Sequence, residues 1–205
     1  MIGRSLGRRT SREKGGPRVA LAPASWGVSD VPGWGFQLDA ERVLSEVWSL
    51  GVSAIEAGPP GFLPDRSDQA KLLIRRHWVR VISGQAHAVL HHHDIRGSEL
   101  AHIDGHASWL AAGRIHHVRL NDIDANVARQ VREHRLDYAH AVSKGLFKPL
   151  GSGDARVDTV IETLRRSRYR GWYAIEHDVR LESKDEKPIT AVKRSLDYVR
   201  RLVAA

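Results

Sequence analysis

Short apolar runs alternate along this chain with stretches whose apolar residues recur every three or four positions. Arg18 to Ser25 reads RVALAPAS, an apolar run closed by Pro and Ser, which predicts a buried strand. A loop rich in Gly, Pro and Trp follows, SWGVSDVPGWG. From Asp39, DAERVLSEVWSLG carries an Asp cap, apolar residues at Val43, Leu44, Val47 and Leu50, and a closing Gly51, which predicts an amphipathic helix. VSAIEAG at 52–58 reads as a second strand, GPPGFLP as its loop, 67–77 as a helix and WVRVISGQAHAVL as a third extended segment.

The second half repeats the rhythm. RIHHVRLND at 114–122 predicts a strand with Ile115, Val118 and Leu120 as its apolar members, followed by a helix over 125–143. After the turn GLFKPLGSGD, Val157, Val160, Ile161 and Leu164 mark a helix. WYAIEHDV at 172–179 is a strand, and 189–203 closes the chain as a helix. Such alternation predicts an α/β fold with parallel strands and helical crossovers, of the (β/α) barrel type. A closed eight-stranded barrel takes ~250 residues. The chain has 205, so the expectation is an incomplete barrel of about five to six units over 18–205.

Charge changes the picture only at the start. The formal net charge is +8. Arg4, Arg8, Arg9, Arg12, Lys14 and Arg18 stand against Glu13 alone, so residues 1–17 read as a disordered basic tail. The remainder is nearly balanced, with 26 basic and 23 acidic side chains. A weak polyanion-binding arm is the only nucleic-acid reading that this distribution supports. With no cysteine, disulfides, thiolate zinc sites and cysteine nucleophiles are excluded. No stretch approaches the ~18 uninterrupted apolar residues of a membrane span, and the N-terminus lacks a signal-peptide core. The expectation is a soluble, cytoplasmic protein.

In parallel α/β folds, chemistry gathers at the C-terminal ends of the strands. Ser25 and Trp26, Glu56, Asn121 and Asp122, and Glu176 and Asp178 fall at those ends. Glu56 and Glu176 carry most weight, because an ionised carboxylate in an apolar strand needs a cation or a set of donors. A buried ion pair with an arginine would satisfy that need equally. Eight of the 12 histidines lie between His87 and His117, including the run His91, His92, His93. Imidazoles together with carboxylates can hold a divalent metal without cysteine, and solvated loop histidines would give the same composition. Asp104, His106 and His117 could converge from two loop ends.

SWGVSD, AIEAGPPGFLP, HVRLNDID, LDYAHAVSKGLFKPLGSGD and GWYAIEHDV, in that order, resemble the inosose dehydratase-like group of the sugar isomerase/epimerase superfamily. These are xylose isomerase-like TIM barrels, related in fold to endonuclease IV. The resemblance implies a divalent metal (manganese, cobalt or magnesium) held at the barrel mouth and chelated by a polyol or keto-sugar. It implies proton abstraction next to a carbonyl, leading to dehydration, isomerisation or epimerisation. Carried over position by position, Glu176 matches the last-strand metal ligand, and Asp104 with His106 stands in a DGH segment where the family has DTGH. His117 is the first His of HVRLND, whereas Arg119 stands where the family has its metal-binding His and Asn121 where it has Lys. The middle-strand Glu has no counterpart, as an internal deletion would explain.

The site expected from this resemblance has Glu176 and His106 as catalytic groups and Asp104, His117 and Glu176 as metal ligands. Trp26, Glu56, Arg119 and Asn121 are expected to contact the substrate. The reading is a lyase or isomerase whose metal site is weakened or lost, because Arg119 puts a fixed cation where a dication should sit. The alternatives are a non-catalytic barrel that binds polyols or anions and, with least support, an endonuclease IV-like enzyme. A shortened barrel also exposes strand edges, which pairing with a second copy into a homo-oligomer would cover.

Overall fold

The protein is described from a computed structural model, over residues 17–84 and 115–204. The elements are β1 Arg18–Leu21, a 3-10 turn Pro23–Trp26, α1 Ala40–Ser49, β2 Ala54–Glu56, α2 Ser67–Arg76 and β3 Arg80–Ser83. After the segment outside the described residues come β4 His117–Leu120, β5 Asp122–Ile123, α3 Ala125–Arg132, α4 Tyr138–Ser143 and β6 Phe147–Lys148. The chain ends with α5 Val157–Arg166, β7 Trp172–Ile175 and α6 Ile189–Ala204.

Five strands form one parallel sheet in the order β3-β2-β1-β7-β4. The first and last strands are neighbours, with Arg18 opposite Trp172 and Leu21 opposite Ile175. Among the described residues the sheet therefore runs outward from β1 and β7 to β3 and β4 as its outer strands, a curled half-barrel flanked by helices. The expected incomplete barrel is what the chain forms.

Alternation along each strand sorts side chains between two faces. Leu21, Ile55, Tyr173, Ile175 and Leu120 face the helices and pack with Val43, Leu44 and Val47 of α1, Ile161 and Leu164 of α5, and Val192, Leu196 and Val199 of α6. These helical residues recur at three- and four-residue intervals, so each helix presents a continuous apolar stripe. Leu44 is fully buried, and Leu44→Ala is expected to cost about 3 kcal/mol of stability. Asp39 caps α1 by accepting the Arg42 backbone N–H at 2.9 Å. Gly51, in the left-handed region, follows its last turn.

The opposite face of the sheet is the inside of the half-barrel. Register places Ala20, Ala54, Ala174 and Arg119 on one level, with Glu56 and the position of Glu176 one level nearer the C-terminal ends. Toward the other end of the sheet the Arg80 and Arg18 guanidinium groups lie 4.8 and 5.9 Å from the Trp172 ring centroid. The interior is small and charged where the helix-facing side is large and apolar.

Two expectations from periodicity need correction. The helix predicted over 125–143 is two helices: His134 takes a left-handed conformation, and Asp137 starts α4 afresh by accepting the His140 N–H at 2.9 Å. The strand predicted over Arg18–Ser25 ends at Leu21, because Pro23 opens a 3-10 turn. The residues beyond Gly84 in the third extended segment, the tail 1–16, and His91, His92, His93, Asp104 and His106 lie outside the described residues.

Candidate functional site

Glu56 ends β2, Glu176 follows the last residue of β7, and His117 and Arg119 stand two apart on β4. His117 and Arg119 therefore share a face of the strand. In a flat sheet β4 and β2 would be three strand spacings apart, about 14 Å. Here the curl brings their side chains together. Arg119 Nη2 lies 2.8 Å from Glu56 Oε2, and His117 Nε2 lies 2.9 Å from Glu56 Oε1. Arg119 Nε is 2.9 Å from Glu176 Oε2. Asn121 Nδ2 donates to Glu176 Oε1 at 3.3 Å, and Ser83 Oγ donates to Glu56 Oε1 at 3.3 Å. The planar guanidinium thus spans two carboxylates on different strands.

This cluster lies in a cleft of about 550 Å³ at the C-terminal ends of the strands. Ser29, Asp30, Trp34, Gly58 and Pro59 line it from the loops after β1 and β2, and Tyr138 and Asp178 close the side next to Glu176. Tyr138 stacks on Trp34 with ring centroids 5.7 Å apart, and its hydroxyl donates to Asp178 Oδ2. The other oxygen, Asp178 Oδ1, is buried and has no hydrogen-bond partner among the described residues.

Electrostatics separate these groups. Burial, reinforced by the negative charge of Asp178, pushes the Glu176 carboxyl up to about 7, against the opposing pull of Arg119 and Asn121. Burial and the adjacent Asp178 carboxylate raise the Tyr138 hydroxyl, which stays protonated and a donor at neutral pH. Next to Glu176, burial lowers the pKa of His177, whose backbone N–H is held by Ser25 Oγ at 3.0 Å. The cleft thus contains a carboxyl that titrates near neutrality, a fixed cation and a neutral hydroxyl donor.

The structure brings Glu56, His117, Arg119, Asn121 and Glu176 together and sets Trp26 apart. Trp26 is fully buried in the core, its indole N–H donating to Glu46 Oε2 at 2.7 Å, and it does not line the cleft. The apolar run 18–26 signalled burial, whereas the neighbouring SWGVSD motif attracted the substrate reading. Asp104 and His106 lie outside the described residues. Sequence reasoning had no role for Tyr138 or Trp34. Their signal was the aromatic pair standing in two motifs, PGWG and LDYAH, otherwise poor in aromatics.

The resemblance implies a dication, and the described residues do not fit one. Three of the four carboxylate oxygens of Glu56 and Glu176 lie within 2.9 Å of Arg119 or His117, and the guanidinium fills the space between the two groups. Among the described residues no set of three or more His, Asp and Glu side chains converges as a metal site. Two like-signed cations a few ångströms apart repel strongly at low dielectric.

No protein-family model matches the chain. Curated proteins match parts of it. The rhizopine catabolism protein MocC of Rhizobium meliloti is 32% identical over 94 residues, 46% of this chain and 28% of that protein. The inosose dehydratase of Geobacillus thermodenitrificans is 38% identical over 63 residues, and that of Bacillus thuringiensis 40% over 63, each match covering 31% of this chain and 21% of the relative. The matched stretches thus span between about a fifth and three tenths of these relatives. They support an inosose dehydratase-like relationship. No described helix is long and apolar enough to cross a membrane.

Proposed function

We propose that the cleft takes a ring polyol bearing a carbonyl, of the keto-inositol type, and that Glu176 moves the proton on the carbon beside that carbonyl. The observation that carries this reading is a buried carboxyl pushed up to about 7, set 2.9 Å from a guanidinium nitrogen in an open cleft. A base whose pKa lies near the working pH is the efficient choice for such a proton. The names of the partial relatives, inosose dehydratase and rhizopine catabolism protein, support a substrate of this class.

The chemistry needs little else. Ionised Glu176 takes the proton, the C–H electron pair forms the enolate, and Arg119 stabilises the charge that develops on oxygen. The enolate electrons then expel the hydroxyl on the neighbouring carbon, which leaves as water with the proton held on Glu176. No electrons are exchanged with another reagent. Trp34 with Tyr138 gives an apolar wall for a ring face, and Asn121 holds Glu176.

A second reading rests on the guanidinium bridge itself. Because Arg119 already engages both carboxylates, the cleft would bind polyols without turning them over.

The test is incubation of the full chain with 2-keto-myo-inositol, followed by chromatographic loss of substrate, for wild type and Glu176→Gln. Turnover in wild type that falls about a thousandfold in the variant is the expected result, in line with loss of a general base. Equal activity in both would sink the role of Glu176. Absence of turnover with saturable calorimetric binding of inositols would establish the binder instead.

A further inference from the structure

Two carboxylates from different strands close on one guanidinium at the mouth of the half-barrel, and an imidazole holds the first of them. Arg119 Nη2 and Nε lie 2.8 and 2.9 Å from Glu56 and Glu176, and His117 Nε2 lies 2.9 Å from the remaining Glu56 oxygen. Glu56 retains 6% and Glu176 13% of side-chain exposure, so both carboxylates need a counter-charge. The donor chemistry, two carboxylates and an imidazole, suits a divalent first-row metal rather than a monovalent ion. We infer that the Arg119 guanidinium is an internal substitute for a dication, and that shortening this one side chain converts the cluster of Glu56, His117 and Glu176 into a divalent-metal site.

The sign of the charge makes the substitution self-consistent. Guanidinium stays charged at any physiological pH and reaches both carboxylates through a planar fork. Its single positive charge faces two carboxylates, so the cluster is less fully compensated than it would be by a dication. In Arg119→His the new imidazole would stand on the same strand face as His117, two residues away. It would add a fourth donor while removing the competing cation.

The inference concerns ion binding alone and needs no polyol, so it stands or falls apart from the proposed reaction. Its test is titration of the full chain with Co²⁺, followed by visible absorption and calorimetry, for wild type, Arg119→Gln, Arg119→His and Arg119→His/Glu176→Gln. Wild type is expected to show no saturable binding at millimolar Co²⁺. Arg119→His is expected to bind at least a hundredfold more tightly, with the absorption of a site of mixed nitrogen and oxygen donors, and the double variant to lose at least tenfold of that gain. Saturable wild-type binding at millimolar Co²⁺ would overturn the inference, because Arg119 would then leave the carboxylates available. So would failure of both folded single variants to bind. Circular dichroism of the Gln variant, which keeps a hydrogen-bonding arm, secures a folded comparison if the His variant unfolds.

Discussion

Two sets of buried carboxylates stand at the C-terminal ends of these strands, and they are satisfied in different ways. Asp122, the first residue of β5, is 2% exposed. Its oxygens accept the backbone N–H groups of Ile123, Gly151, Gly153 and Ala155 at 2.9–3.0 Å. Every one of its donors belongs to the main chain, so the carboxylate is wholly committed to holding the GLFKPLGSGD turn against β5. Glu56 and Glu176 instead take side-chain donors from β4, which a ligand or an ion can displace by a rotamer change. The contrast separates a carboxylate that builds a loop from carboxylates that meet a guest: what distinguishes them is whether the partner can leave, more than how deeply each is buried.

The sharpest test removes the immobile partner. Asp122→Ala would strand four N–H groups with no alternative acceptor, and about 4 kcal/mol of stability should be lost in urea unfolding. A loss below 1 kcal/mol would show that water replaces the carboxylate and that the two sets differ less than their geometry implies. Glu56→Gln is the matched change on the exchangeable side. Arg119 keeps Glu176 as a partner, so about 2 kcal/mol is expected, half the cost at Asp122. Equal losses at the two positions would erase the distinction.

Proton linkage gives the third, smaller effect. The Glu176 pKa is raised from 4.5 to about 7 in the folded chain. The folded state therefore binds more protons than the unfolded state between these values, and stability falls as pH rises through that window. Glu176→Gln should flatten this slope in pH-dependent thermal unfolding. A variant as pH-sensitive as wild type would place the titration elsewhere. In the same window, any Glu176-dependent turnover should climb as the carboxyl ionises and level off above pH 7.

Least is expected at the surface. Arg76 Nη1 and Glu41 Oε1 are 2.8 Å apart, with both side chains more than half exposed. Glu41→Gln should therefore change stability by under 0.5 kcal/mol and vanish into error at high salt. A larger effect would mean that exposed pairs matter here as much as the buried ones.

The same contrast explains what the sequence revealed. Strand and helix order was legible because burial on one side of every strand and helix leaves periodic apolar residues, such as Val43, Leu44 and Val47. The break between α3 and α4 was not, because apolar spacing continues through Val131 and Leu136 while the left-handed backbone of His134 leaves no apolar signature. Glu56 and Glu176 stood out as charges in apolar strands. That Asp122 belongs to the loop rather than to the cleft was hidden, because only its four backbone donors, contributed from as far as Ala155, reveal it. Trp26 was misplaced because a residue at a strand end can turn into the core as readily as toward the cleft. Tyr138 went unassigned because its hydroxyl meets Asp178, 40 residues away, only after folding.

The meeting of His117 and Arg119 with Glu56 also has a mechanical side. These contacts close a chord across an arc made of β2, β1, β7 and β4, so they act as a bowstring on a sheet whose outer strands have no further neighbour among the described residues. Whatever loosens the string lets the arc relax, and whatever tightens it bends the arc further. Occupancy of the cleft would then register as stiffness far from it, in the exchange of backbone amides along β3 and β4.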